Sequence, residues 1–200
     1  MAETQPQTHL IETRLAGEKV YSGRLLQVHR DTVGLSDGST VVREYIAHPG
    51  AAMVIPLLYD ASGAIRIVLE RQFRYPVARV MLEFPAGKLD SGESPWVCAQ
   101  RELREETGYV ATEWAHAGVL HPVIAYSTEC IDVWFARGLQ AGERSLDAGE
   151  FLEVFDASPD ELLEWCYQGA VTDAKTLTGM LWLQNVLQGK WTLDWKSVAS

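Results

Sequence analysis

Residues 87–109 read GKLDSGESPWVCAQRELREETGY, and this stretch decides the architecture of the whole chain. Glu102, Glu105 and Glu106 stand within five residues of one another, behind a glycine-rich loop and a helix start. Ser94 followed by Pro95 is an N-cap with proline at the first helical position. Gly108 is a C-terminal stop. Between them the spacing predicts a helix on which the three glutamates share one face. Trp96, Ala99 and Leu103 fall on an adjoining face and are expected to pack inward. Arg101 precedes Glu105 by four residues and can steady it. Carboxylates this close repel one another unless positive charge sits between them. A hard divalent cation meets that need, and such cations bind phosphate oxygen. Pro85-Ala86-Gly87 and Ser91-Gly92 leave backbone carbonyls available as further oxygen donors.

Composition narrows the classes. Two hundred residues, 47% of them apolar, suit one domain with a small appendage. A net charge of −10 without any basic run excludes nucleic acid as the expected partner. An anionic substrate would then need a bound cation to be tolerated. Cys98, Cys130 and Cys166 are odd in number and widely spaced, which fits a reducing compartment and apolar filling rather than a disulfide or zinc framework. No run of 18 apolar residues is present, so no membrane span is expected. The opening MAETQPQTHL has neither the basic nor the apolar region of a signal peptide, and a cytoplasmic location is expected. Residues 1 to about 10 are expected to be loose.

Before the helix the chain reads as strands. Tyr21–Thr32 and Thr40–His48 are β-rich runs joined through Ser36-Asp37-Gly38. His48-Pro49-Gly50 marks a boundary between a small N-terminal β unit, residues 1–48, and a main domain, residues 49–200. Ala51–Tyr59 and Ala64–Phe73 form a second strand pair, and Arg79–Phe84 leads into the glutamate-rich helix. Trp114–Val123 and Cys130–Leu139 are expected strands after it. Ser158-Pro159-Asp160-Glu161 opens a helix with a capping box. Asp173–Gln188 is the last helix, with Leu177, Met180, Leu181 and Leu187 as its expected apolar stripe. Strands flanking one helix, followed by two more helices, give an α/β sandwich.

The residues Gly87, Glu93, Arg101, Glu102, Leu103, Glu105, Glu106, Gly108 and Tyr109 fill the pattern G-x5-E-x7-R-E-U-x-E-E-x-G-U, with U a bulky apolar residue. In this the chain resembles the Nudix hydrolases. Tyr109 is the one departure, aromatic where the pattern often has an aliphatic residue. The runs Glu44–Ala52, Arg71–Pro76, Glu83–Gly87 and Asp173–Thr176 are similar to the ADP-ribose pyrophosphatase branch of that family. The likeness covers residues 12 to 188. It implies an α/β/α sandwich with a mixed sheet, preceded by the small β unit.

The resemblance further implies magnesium-dependent hydrolysis of the pyrophosphate bond of a nucleoside diphosphate sugar. ADP-ribose cleaved to AMP and ribose 5-phosphate leads the expectations. GDP-mannose, another nucleotide sugar and a dinucleotide are the alternatives, with a mutagenic triphosphate substrate or a non-catalytic nucleotide-binding module behind them. Glu102 and Glu106 would hold Mg²⁺, or Mn²⁺ in its place, helped by the Ala86 carbonyl and by Glu105, and more than one ion is expected. Glu93 would orient Arg101 and the loop. Glu129, in a loop after the helix, would be the base, with Asp132 its competitor. For substrate contacts Arg74 is preferred over Arg71, because strand neighbours alternate faces. Glu83 would meet substrate hydroxyls or metal-bound water, while Arg43 and Tyr21 would stack on the base. The N-terminal unit is too small to bury its own strands. The resemblance therefore implies a homodimer, with N-terminal strands packed on or swapped with the partner.

Overall fold

The computed structural model describes residues 8–146 and 149–198. Residues 1–7, expected to be loose, lie outside the described residues; Thr8–Leu10 form a single 3-10 turn. Two compact units emerge. The smaller contains the chain up to His48 together with Val123–Glu129, a segment that the sequence reading leaves with the larger unit.

The smaller unit is an antiparallel sheet of β1 (Thr13–Ser22), β2 (Gln27–Gly34) and β3 (Thr40–Ile46), in that order. The expected single run Tyr21–Thr32 is instead the end of β1, a turn, and most of β2. Gly23 donates its amide N–H to Leu26 O there (2.9 Å), so the β-rich composition conceals a reversal. Arg14 and Tyr45 both reach the buried Asp31, at 2.8 and 3.1 Å, which ties the three strands together.

The larger unit is built around β4 (Ala51–Tyr59). Its run AAMVIPLLY is apolar without alternation, as expected of a strand covered on both faces. Beside it lie β5 (Ile65–Arg74), β6 (Arg79–Glu83) and the short β7 (Ala86–Lys88). Helix α1 (Pro95–Thr107) follows, then β8 (Tyr109–Leu120), β9 (Ile131–Ala141) and β10 (Leu152–Ala157). Helices α2 (Pro159–Tyr167) and α3 (Ala174–Leu187) and the two-residue β11 (Lys196–Ser197) end the chain. The sheet order is β10-β5-β4-β9-β8-β11, with β6 on β5 and β7 on β4. The β4–β9 pair is parallel and the others are antiparallel, so the sheet is mixed.

Each face of the sheet carries its own core. Met53, Ile55, Ile67, Leu69, Val133 and Phe135 pack with Leu162 of α2 and with Met180 and Leu183 of α3. Ala52, Val54, Trp114 and Ala136 pack with Cys98, Ala99 and Leu103 of α1. Helices on both faces make this an α/β/α sandwich.

Several details differ from expectation. β8 begins at Tyr109 rather than Trp114, because Gly108 turns the chain from helix straight into strand. β10 carries no clear alternation and is not evident from the sequence; Leu152 and Ala157 are buried at its two ends. In α3 the buried residues are Thr176, Gly179, Met180 and Leu183, whereas Leu177, Leu181 and Leu187 are exposed. The helix turns its small residues inward: a β-carbon on Gly179 would meet the Phe84 ring at 2.8 Å. Among the described residues no helix is long and apolar enough to cross a membrane.

Candidate active site

Helix α1 is started and stopped by the residues that local chemistry selects. Ser94 accepts from the Val97 N–H (3.3 Å), Pro95 occupies the first turn, and Gly108 closes the helix at φ 78°. That placement fixes which side of the helix meets the sheet. Besides Cys98, Ala99 and Leu103, the inward side carries Glu102 and Glu106, 9% and 3% exposed. Two glutamates on the buried face of a short helix are costly unless something compensates them.

The compensation comes from the loop ahead of the helix. The Ala86 N–H donates to Glu106 Oε2 at 3.0 Å. Glu102 lies directly against Gly87: a β-carbon built there would fall 1.8 Å from its Oε1. Gly87 is therefore a cradle that any side chain would fill. Arg101 sits at the centre of an ionic net. Its Nε and Nη2 each donate to Glu93 at 2.9 Å, Nη1 donates to Glu102 at 2.7 Å and to Glu105 at 3.0 Å, and Nη2 reaches the Lys88 carbonyl at 3.0 Å. Glu93 also accepts from the Asp90 N–H, which holds the loop closed (2.9 Å).

The electrostatics divide the carboxylates. The Arg101 hydrogen bonds hold Glu93 down to about 2. Burial pushes Glu102 up to about 7 despite Arg101. Burial, and then the nearby Glu70, Glu102 and Glu150, raise Glu106 well above the carboxylate range. The cluster is short of positive charge where its charges are least solvated.

A second ionic group lies on β5 and β6. Arg74 grips the buried Glu83 with a two-pronged fork, Nε at 2.7 Å and Nη2 at 2.9 Å. Lys175 of α3 joins Glu83 and also bonds Asp173, the N-cap of α3 (3.1 Å). Burial alone would raise Glu83, but Arg74 and Lys175 outweigh it and its carboxyl stays below its ordinary value. Arg71 points elsewhere, over the Phe155 ring at 3.9 Å.

The structure thus brings Ala86, Gly87, Glu93, Arg101, Glu102, Glu105 and Glu106 together at α1, and Arg74 with Glu83 on the neighbouring strands. Asp132 is engaged by His116 at 2.9 Å. Glu129 belongs to the smaller unit, where its carboxylate stands 3.9 Å from His48 Nε2. Arg43, in the same unit, is clamped to Glu12 (2.5 and 3.0 Å), and Tyr21 is exposed near the end of β1. Sequence reasoning missed Glu70 and Lys175 as members of the site. The signal for Glu70 was present: it is the one acid of β5 and follows the apolar run Ile67-Val68-Leu69.

The donor set suits a hard divalent cation, since it consists of carboxylate and backbone oxygens without sulfur or imidazole. The Gly87 cradle adds to the fit by leaving room around Glu102. Among the described residues no three acidic, histidine or cysteine side chains are grouped so as to hold a metal ion by themselves. Glu102 and Glu105 instead spend oxygens on Arg101. A cation would share them with the guanidinium or draw them from it.

Comparison with known proteins agrees with this geometry. The family profile described as "NUDIX domain" matches residues 48–178. The chain is 36% identical over 177 residues to a methanol dehydrogenase activator of Bacillus methanolicus, covering 86% of this chain and 92% of that protein. It is 34% identical over 177 residues to an ADP-ribose pyrophosphatase of Bacillus subtilis, covering 88% and 94%. The crystal structure of an ADP compounds hydrolase superposes with a TM-score of 0.79 at 23% identity, over 90% of this chain and 95% of that one, and so shares the fold.

Proposed function

This chain belongs to the Nudix family, and from that premise we propose that it hydrolyses the pyrophosphate bond of a nucleoside diphosphate sugar with the help of Mg²⁺. ADP-ribose is the substrate we favour, giving AMP and ribose 5-phosphate. The observation that carries the reading is the pair Glu102 and Glu106, buried on the inner side of α1 against Ala86 and Gly87. A surface helix acidic only for solubility would turn these residues outward. The names of several relatives, among them the B. subtilis pyrophosphatase, support the substrate class.

Glu102 and Glu106 would hold the cation, with Glu105 and the Ala86 carbonyl as further donors, and more than one ion is expected. A bound divalent cation neutralises phosphate oxygens and makes an attacking water more acidic. The protein's own groups do the rest. Glu93 fixes Arg101, and Arg101 keeps Glu102 and Glu105 in place on the helix. Arg74, pre-set by Glu83, offers a guanidinium to the diphosphate. Glu129, on the segment just ahead of β9, is assigned as acceptor of the water's proton. Arg43 and Tyr21 are assigned to the nucleobase.

We assign the protein to the cytoplasm, in keeping with its three free cysteines. It is further proposed to work as a homodimer through the smaller unit. All ten residues of β1 are exposed, Leu15, Val20 and Tyr21 among them, and such an edge calls for a partner. Sedimentation equilibrium at micromolar protein should give twice the chain mass; a monomer would remove this part of the reading.

Nucleotide sugars, free nucleoside triphosphates and dinucleotides, each incubated with Mg²⁺ and resolved by chromatography, test the activity. ADP-ribose should be split to AMP, the reaction should stop in chelator, and Mg²⁺ or Mn²⁺ should restore it. Turnover of triphosphates alone, or undiminished turnover in chelator, would overturn the proposal.

A further inference from the structure

Glu70 lies in the middle of β5, fully buried, and among the described residues neither of its carboxylate oxygens has a hydrogen-bond partner. Nothing assigned above accounts for it. A buried carboxyl group with no hydrogen-bond partner is among the least tolerated of buried groups. Its position is defined by strand geometry. Side chains alternate along β5, so Val68, Glu70, Gln72 and Arg74 share one face while Ile67 and Leu69 join the core under α2 and α3. Glu70 is paired across the ladder with Glu83 of β6, which places both acids on that same face.

The cations nearby are committed. Arg74 spends its fork on Glu83, and Lys175 is shared between Glu83 and Asp173. The amide nitrogen of Gln72 goes to Glu150 at 3.1 Å, and its Oε1 is buried and unpartnered too. Glu70 instead lies close enough to Glu106 that, after burial itself, it disfavours the Glu106 charge more than any other residue does. A proton on Glu70 would need an acceptor, and neither oxygen has one. Among the described residues no guanidinium or ammonium bonds it either. What satisfies two facing carboxylates with open lone pairs is a metal ion between them.

We propose that Glu70 is a further oxygen ligand of the divalent cation held by Glu106, so that the cation site of this chain reaches from helix α1 onto strand β5. The proposal rests on the cation-dependent reading above and adds a ligand from outside the helix motif. It also gives Gln72 a role, as an uncharged oxygen beside the same ion. An acid is tolerated at this otherwise apolar position because the cation is part of the working protein.

Mn²⁺ alone is the probe. It is titrated into the metal-stripped full chain, wild type, Glu70→Gln and Glu70→Leu, with free ion read by electron paramagnetic resonance and melting followed in chelator. Wild type should take up Mn²⁺, and both variants should bind it roughly tenfold or more weakly, or with one ion fewer. In chelator Glu70→Leu should melt at or above the wild-type temperature, because it removes a buried carboxyl group that burial pushes up to about 8 and that has no hydrogen-bond partner among the described residues. Wild-type affinity and stoichiometry in Glu70→Leu, or in Glu70→Gln if only that variant folds, overturns the proposal. No uptake by wild type would defeat the cation reading and Glu70 together. Uptake by wild type with unaltered variants would defeat the role of Glu70 alone.

Discussion

Glu106→Gln and Glu102→Gln are each expected to lower kcat about 10³-fold, equivalent to ~4 kcal/mol of transition-state stabilisation. Each would remove a negatively charged oxygen assigned above to the cation while keeping the shape of the side chain. For Glu106 the Ala86 N–H keeps an acceptor, because the glutamine carbonyl can replace Oε2. The fold should not suffer. Burial raises Glu102 to about 7, so the cation-free folded protein holds a proton that the unfolded chain releases near 4.5. That costs stability between those values and above them. In chelator, Glu102→Gln should therefore match wild type near pH 4 and gain on it up to about pH 7. Glu129→Gln is the informative contrast: kcat should fall while Mn²⁺ affinity stays the same. Near-normal turnover in both helix variants would end the metal assignment.

Removing Arg101 should have the largest effect on stability. Among the described residues its guanidinium makes six hydrogen bonds, four of them to Glu93, Glu102 and Glu105, and its side chain is 22% exposed. Arg101→Ala leaves those carboxylates facing one another, and breaking a largely buried pair typically costs about 3 kcal/mol or more. In a chain of this size that is a fall in Tm of roughly 10 °C. Arg101→Lys should recover only part of it, because an ammonium cannot form the fork to both Glu93 oxygens. Activity should drop in both variants as Glu102 and Glu105 lose their fixed positions. A differential scanning calorimetry Tm within a degree or two of wild type for Arg101→Ala would show that the net is ornamental.

The parts of this molecule legible in the sequence are those whose causes are local. Ser94, Pro95 and Gly108 mark both ends of α1 within a turn, and Ser158 with Glu161 marks α2 through a reciprocal cap. The glutamates of α1 could be placed on one face from spacing alone. What could not be read depends on distant parts of the chain. Arg74 and Glu83 are near in sequence, but Lys175 reaches Glu83 from the far helix. Glu70 looks like an ordinary charge until the sheet covers it and α1 sets Glu106 before it. On α3 only Met180 of the expected stripe turns inward, because Leu177, Leu181 and Leu187 lie on the exposed side. There Gly179 and Thr176 are chosen for closeness, and Thr176 accepts from the Phe84 N–H at 3.1 Å.

The parallel ladder between β4 and β9 joins Ala51 to Ile131, positions separated by about half of the larger unit. Antiparallel hairpins can zip from a turn, but this pairing must wait until a long intervening stretch has closed. β7, which carries Ala86 and Gly87, hangs on the same end of β4. The backbone that receives Glu102 and Glu106 is therefore completed late, after α1 has its own hydrogen bonds. During refolding, helical circular dichroism should return before the capacity to take up a divalent ion, which makes ion uptake a clock for the last step of assembly.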